Sequence, residues 1–110
     1  MRIVKAILDF AVRVHQRTTG MSEEAFMADL TIQDSVLYAL GQVGEKVNSL
    51  SDDFKEKHSH IQWFAILGLR NRLFHSYEDI DLVFVYEICR DSIPTFIEDL
   101  RKLADDTPSL

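Results

Sequence analysis

The chain of 110 residues holds one cysteine, two prolines and four glycines. The single Cys89 excludes an intramolecular disulfide framework and any zinc site built on cysteines. So little glycine and proline excludes collagen-like and low-complexity material. No apolar run reaches the roughly eighteen residues that a membrane-spanning helix needs. The opening Met1-Arg2-Ile3-Val4-Lys5 leads into no long apolar stretch with a cleavage site. No signal peptide and no membrane contact are therefore expected, and the cytoplasm is the default compartment.

Positive charge is also scarce. Twelve Lys and Arg stand against eighteen Asp and Glu, a formal net charge of −6. That balance argues against general nucleic-acid binding. The charge is uneven, however: residues 1–54 carry −3, residues 76–110 carry −6, and residues 55–75 carry +3. The basic stretch holds Lys55, Lys57, Arg70 and Arg72 against Glu56, with His58, His60 and His75 beside them. It reads either as a chance cluster on a solvated face or as a local anion site.

What is present is an ordinary globular composition, 46% apolar and 27% charged. The length fits one domain over residues 1–110, with 105–110 a polar, frayed tail. The apolar spacing is helical almost throughout. Ile3, Ile7, Phe10, Ala11 and Val14 form one amphipathic stripe, closed by Thr18-Thr19-Gly20. Ser22 is a good N-cap, with Met21 and Phe26 at staple positions around it. From Thr31, Ile32, Val36, Leu40, Val43, Val47 and Leu50 mark a long core-facing helix, in which Gly41 and Gly44 invite close approach of another helix. Ser51 starts a fresh short helix, and His58-Ser59-His60 is a polar connector. Ile61 to Phe74 forms a helix apolar over much of its circumference, which predicts a central or interfacial position. Asp81 caps the last helix, which runs to about Ala104 and is kinked or divided by Pro94. The fold expected is an all-α bundle of four main helices plus short ones.

Chemistry concentrates in Arg70-Asn71-Arg72-Leu73-Phe74-His75-Ser76-Tyr77. Five helical steps separate Arg70 from His75, about 7.5 Å of rise and about 140° of rotation. Asn71 and His75 stack at i, i+4. A histidine at a helix C-terminus has its protonated form favoured by the dipole. Such a histidine beside a fixed guanidinium suits phosphodiester cleavage: the imidazole exchanges a proton while arginine stabilises charge on the phosphorus. By spacing alone the same residues also read as a surface arginine with a capping histidine.

The arrangement Arg70-Asn71-x3-His75-x-Tyr77 resembles the signature of the HEPN superfamily, and in particular the HepT-like toxins of prokaryotic HEPN/MNT toxin–antitoxin modules. Further stretches are similar in the same order: Thr19 to Phe26, Val43-Gly44-Glu45-Lys46, Ile61 to Asn71, Ile80 to Tyr86, and Ile93-Pro94. Lys46, where the family usually has alanine, and Gln62 depart from the pattern. The resemblance implies an α-helical homodimer whose paired Arg/His motifs face each other across a cleft and cut RNA without a metal. It implies Arg70 and His75 as catalytic residues, with Asn71 holding the site. It implies a minimal nucleotidyltransferase as antitoxin, able to neutralise the toxin by transferring AMP to Tyr77. The competing reading is a non-catalytic helical module that binds a nucleotide or supports a nucleotidyltransferase.

No metal and no cofactor are expected. His58 and His60 are polar loop histidines, and Gly41, Gly44 and Gly68 are intrahelical and make no phosphate loop. Glu45 reads as an exposed helix charge or as a cleft residue. Trp63 belongs to the core or an interface, with base stacking on RNA as its alternative. Cys89 is expected as a small buried hydrophobe.

Overall fold

The computed structural model describes residues 2–75 and 80–106; the side chains of residues 70, 71, 73–75 and 106 lie outside the described part. The described residues form helices and no strand. They are α1 (Arg2–Thr18), α2 (Glu23–Ala28), α3 (Leu30–Asn48), α4 (Asp52–Lys57), α5 (Trp63–His75), α6 (Leu82–Glu87), a π-helical turn at Ile88–Ser92, and α7 (Ile93–Asp106). Four are long and three short, the expected all-α bundle.

The helix starts are set by side-chain caps. Ser22 accepts from the Ala25 amide at 3.1 Å, Ser51 from Phe54 at 3.1 Å and Asp81 from Phe84 at 3.1 Å. Asp29 does the same for α3, accepting from Ile32 at 3.0 Å, so that helix begins at Leu30, ahead of the Thr31 start read from periodicity. Gly20 ends α1 at φ 75°, a conformation that costs glycine nothing. Gln33 is buried and donates to the Phe26 and Met27 carbonyls at 2.9 and 3.1 Å, satisfying the end of α2.

The core lies where α1, α3 and α7 meet. Val4, Ile7, Ala11 and Val14 of α1 face Val36, Leu40, Val43 and Val47 of α3, with Ile93, Phe96 and Leu100 from α7. Each fully buried Val, Leu or Ile is worth about 1.5–3 kcal/mol relative to exposure. Gly41 and Gly44 are buried on α3, and α5 packs along that helix. Pro94 has no N–H for the carbonyl four residues back, and the chain widens just before it: the Ile93 amide donates to the Ile88 carbonyl, five residues back. The division expected at Pro94 is therefore a π turn.

One tie spans 65 residues: the Tyr86 hydroxyl donates to the Met21 carbonyl at 2.7 Å. Tyr86 is buried against Phe26, ring centroids 5.6 Å apart. Tyr86→Phe should lower unfolding free energy by about 1 kcal/mol, one net hydrogen bond. Ile7→Ala should lower it by about 2–5 kcal/mol. Urea unfolding followed by circular dichroism measures both.

Candidate functional site

The start of α5 is fixed by Trp63. Its ring is 1% exposed, and its Nε1–H donates to the His58 carbonyl at 3.1 Å. Phe96 of α7 meets it edge-on, centroids 6.0 Å apart, and Phe54 of α4 lies 6.3 Å away. Backbone bonds from Ile61 to the His58 carbonyl and from Trp63 to the Ile61 carbonyl form a tight turn, so α5 begins at Trp63 and not at Ile61. Trp63 is thus a core residue with its only donor occupied, and it offers no stacking face to RNA.

From that anchor the register of α5 follows. Trp63, Ile66 and Leu69 are buried, and Arg70 falls in the register of Trp63 and Ile66. Phe64 and Gly68 are exposed, and Asn71 and His75 continue their stripe at steps of three and four. Arg70, Asn71 and His75 therefore occupy the last two turns of α5, Arg70 and His75 about 7.5 Å apart along the axis. The side chains of these three residues, and Tyr77 altogether, lie outside the described residues.

The surroundings of several other residues are also defined. Arg72 is exposed on α5 and lays its guanidinium over the Phe84 ring, 3.9 Å from the centroid, bracing the end of α5 against α6. Phe64 is 80% exposed, although periodicity groups it with the core aromatics. Lys46 sits half-buried with its ammonium 5.5 Å from the Phe10 ring. Glu45 is exposed on α3. His58 lies tilted against Phe54, centroids 4.7 Å apart, and His60 meets His58 edge-on at 6.3 Å.

On the other side of the bundle a groove of about 590 Å³ runs between α1 and α7, with His15, Glu98, Arg101 and Asp105 on its walls. Cys89 lines a smaller cavity nearby. Burial pushes its thiol up to about 12, against a weaker opposite effect of a hydrogen bond with Thr18. No described helix is long and apolar enough to cross a membrane.

The chain belongs to the ribonuclease HepT-like family, whose model matches residues 7–103. Over 88 residues it is 32% identical to "Putative RNase MJ1380" of Methanocaldococcus jannaschii, covering 80% of this chain and 81% of that one. It is 29% identical over 92 residues to "Probable ribonuclease HepT" of Thermococcus cleftensis, covering 81% and 84%. A third relative, "Gamma-glutamylcyclotransferase and putative RNase MJ0434" of M. jannaschii, is 27% identical over 100 residues; the match covers 91% of this chain and 45% of that longer protein. No solved structure matches.

The Cys89 thiol stays protonated in the fold up to about pH 12 but ionises from about pH 9 when exposed. Its raised value is a stabilising contribution that is complete below pH 9 and is lost as pH rises toward 12. Folded protein should resist alkylation at pH 8 and react only on denaturation. Stability of the parent should fall more steeply across that window than stability of Cys89→Ala, measured by urea unfolding at several pH values.

Proposed function

We propose that this protein is a metal-independent endoribonuclease acting as the toxin of a toxin–antitoxin pair. Two observations support the reading: membership of a ribonuclease family, and an unbroken Arg70-Asn71-x3-His75-x-Tyr77 run in the sequence, whose Arg70, Asn71 and His75 fall in the last turns of the helix that Trp63 anchors. His75 removes the proton from an RNA 2′-hydroxyl. That oxygen attacks the adjacent phosphorus, the 5′-oxygen leaves and is protonated, and a 2′,3′-cyclic phosphate remains. Arg70 stabilises the charge on the phosphoryl oxygens, and Asn71 holds the site. The working unit is a homodimer that brings two copies of α5 to one cleft. Support for pairing comes from α3, which packs along α5 and leaves Leu30 72% and Tyr38 64% exposed.

Arg70→Ala and His75→Ala should each reduce RNA cleavage by several orders of magnitude and abolish growth inhibition, with helicity retained. Cleavage by the parent should persist in EDTA, and sedimentation should give a dimer at micromolar concentration. Activity that depends on an added divalent cation would overturn the mechanism.

The antitoxin is a minimal nucleotidyltransferase. The Tyr77 oxygen attacks the α-phosphorus of ATP, pyrophosphate leaves, and the attached AMP places bulk and negative charge where RNA phosphate must bind. Tyr86 is an unsuitable acceptor, being 7% exposed with its hydroxyl bound to Met21. Tyr38 is open and serves as the control. Tyr77→Phe should escape neutralisation on co-expression, while Tyr38→Phe should gain AMP at Tyr77 and lose activity like the parent. Full neutralisation of Tyr77→Phe would favour simple occlusion of the cleft.

The alternative of a non-catalytic, nucleotide-binding module has the α1–α7 groove in its favour, whose volume suits a small ligand. Unchanged toxicity of both Arg70→Ala and His75→Ala would favour it.

A further inference from the structure

The net-positive stretch of the sequence runs through α4, the connector and α5, directly after the acidic Asp52 and Asp53 that open α4. Lys57 and His60 are exposed at the end of α4 and in the connector, His58 is half-buried beside them, and Arg72 lies further along α5. Where α4 meets the start of α5 a cavity of about 360 Å³ opens, lined by Lys55 between the carboxylates Asp52 and Glu56, with Ser59, Ile61, Trp63 and Phe64. That volume is in the range of small-ligand sites, and the lining joins apolar walls to a few polar groups.

Two side chains there are otherwise unexplained. Phe64 is 80% exposed while Ile61, Trp63 and Ile66 around it are buried, so its ring stands as a free flat face at the pocket edge. Lys55 is the converse: its side chain is 9% exposed, and its ion pair among the described residues is a long 3.9 Å contact to a fully exposed Asp52. A flat ring and an ammonium in one cavity suit a nucleotide unit of RNA, whose base stacks on the ring and whose phosphate competes with Asp52 and Glu56 for the lysine. The register of α5 adds direction. Phe64 and His75 share one stripe, eleven steps apart, which is about 16.5 Å along the axis. That span is a few nucleotides of single strand. Gly68 lies between them on the same stripe, and nothing stands within 4 Å of where a Cβ would be.

We propose that the α4–α5 pocket is a nucleobase subsite. A base a few nucleotides from the phosphate at His75 stacks on Phe64, and the Lys55 ammonium meets the phosphate attached to it. The subsite rests on the ribonuclease reading for its place along the strand, but base binding can be measured without cleavage.

Trp63 is the chain's single tryptophan and lines the pocket, so its fluorescence reports occupancy. Short oligoadenylate, the stronger stacker, and short oligouridylate would be titrated into the His75→Ala protein with Phe64, Phe64→Tyr or Phe64→Leu. Tyrosine keeps the ring and should keep affinity. Leucine keeps the apolar bulk alone and should weaken oligoadenylate binding by roughly 5- to 150-fold, the range for one base–aromatic stack. Lys55→Met should weaken binding and flatten its dependence on salt. With His75 restored, Phe64→Leu should raise KM and shift the positions at which RNA is cut. Unaltered oligonucleotide affinity in Phe64→Leu would overturn the proposal. So would a change in its sedimentation, because Phe64 would then be a contact between proteins. If the parent cuts no RNA yet binds oligoadenylate through Phe64, the subsite stands and the nuclease reading falls.

Discussion

The buried Trp63 indole is the contact on which the arrangement of the candidate site depends. One ring touches three parts of the chain: α4 through Phe54, the connector through the His58 carbonyl, and α7 through Phe96. An indole left without a partner for its N–H would pay a desolvation cost of about 1–3 kcal/mol, so the hydrogen bond fixes the ring's orientation as well as its depth. With the first residue of α5 held in place, helical geometry sets the azimuth of every later one. The motif at the far end therefore inherits its position from a side chain about 18 Å up the axis. Arg72 on Phe84 supplies the second attachment, close to the motif itself.

Much of this was legible in the sequence, for identifiable reasons. Ser22, Ser51 and Asp81 announce helix starts because a short oxygen-bearing side chain before an apolar run has one dominant use. Asp29 does the same work but stands after Met27 and Ala28, where the end of one helix and the start of the next share a single residue. Periodicity found both faces of α5 apolar and could not tell Trp63 from Phe64, although one is 1% and the other 80% exposed. Hydrophobicity records what a side chain prefers, and only packing decides which of two adjacent aromatics is accommodated. The motif was legible for a different reason. Its residues are polar on an otherwise apolar helix, a choice that packing does not explain.

Charge was informative in its distribution and not in its sum. The total of −6 speaks against contact with a polyanion. Yet residues 55–75 carry four of the twelve Lys and Arg, two on α4 and two on α5, against a single Glu56. At physiological ionic strength, fields decay over about 8 Å, so a partner responds to nearby charges more than to the total. The acidic remainder disfavours contact with a polyanion elsewhere along the chain.

The π turn before Pro94 bears on chain length. Val85, Cys89 and Ile93 are all buried at successive steps of four. In a regular helix two such steps drift by about 80°, enough to turn the last side chain off the core. The wider turn at Ile88–Ser92 absorbs the drift and keeps Tyr86 on the Met21 carbonyl while Ile93 remains fully enclosed. Residues Ile88–Ser92 thus act as a phase correction between two helices, with a residue count as constrained as that of a gear tooth. An insertion or deletion there would rotate α7 against α1 along its whole length, whereas the same change in a surface loop would be absorbed locally.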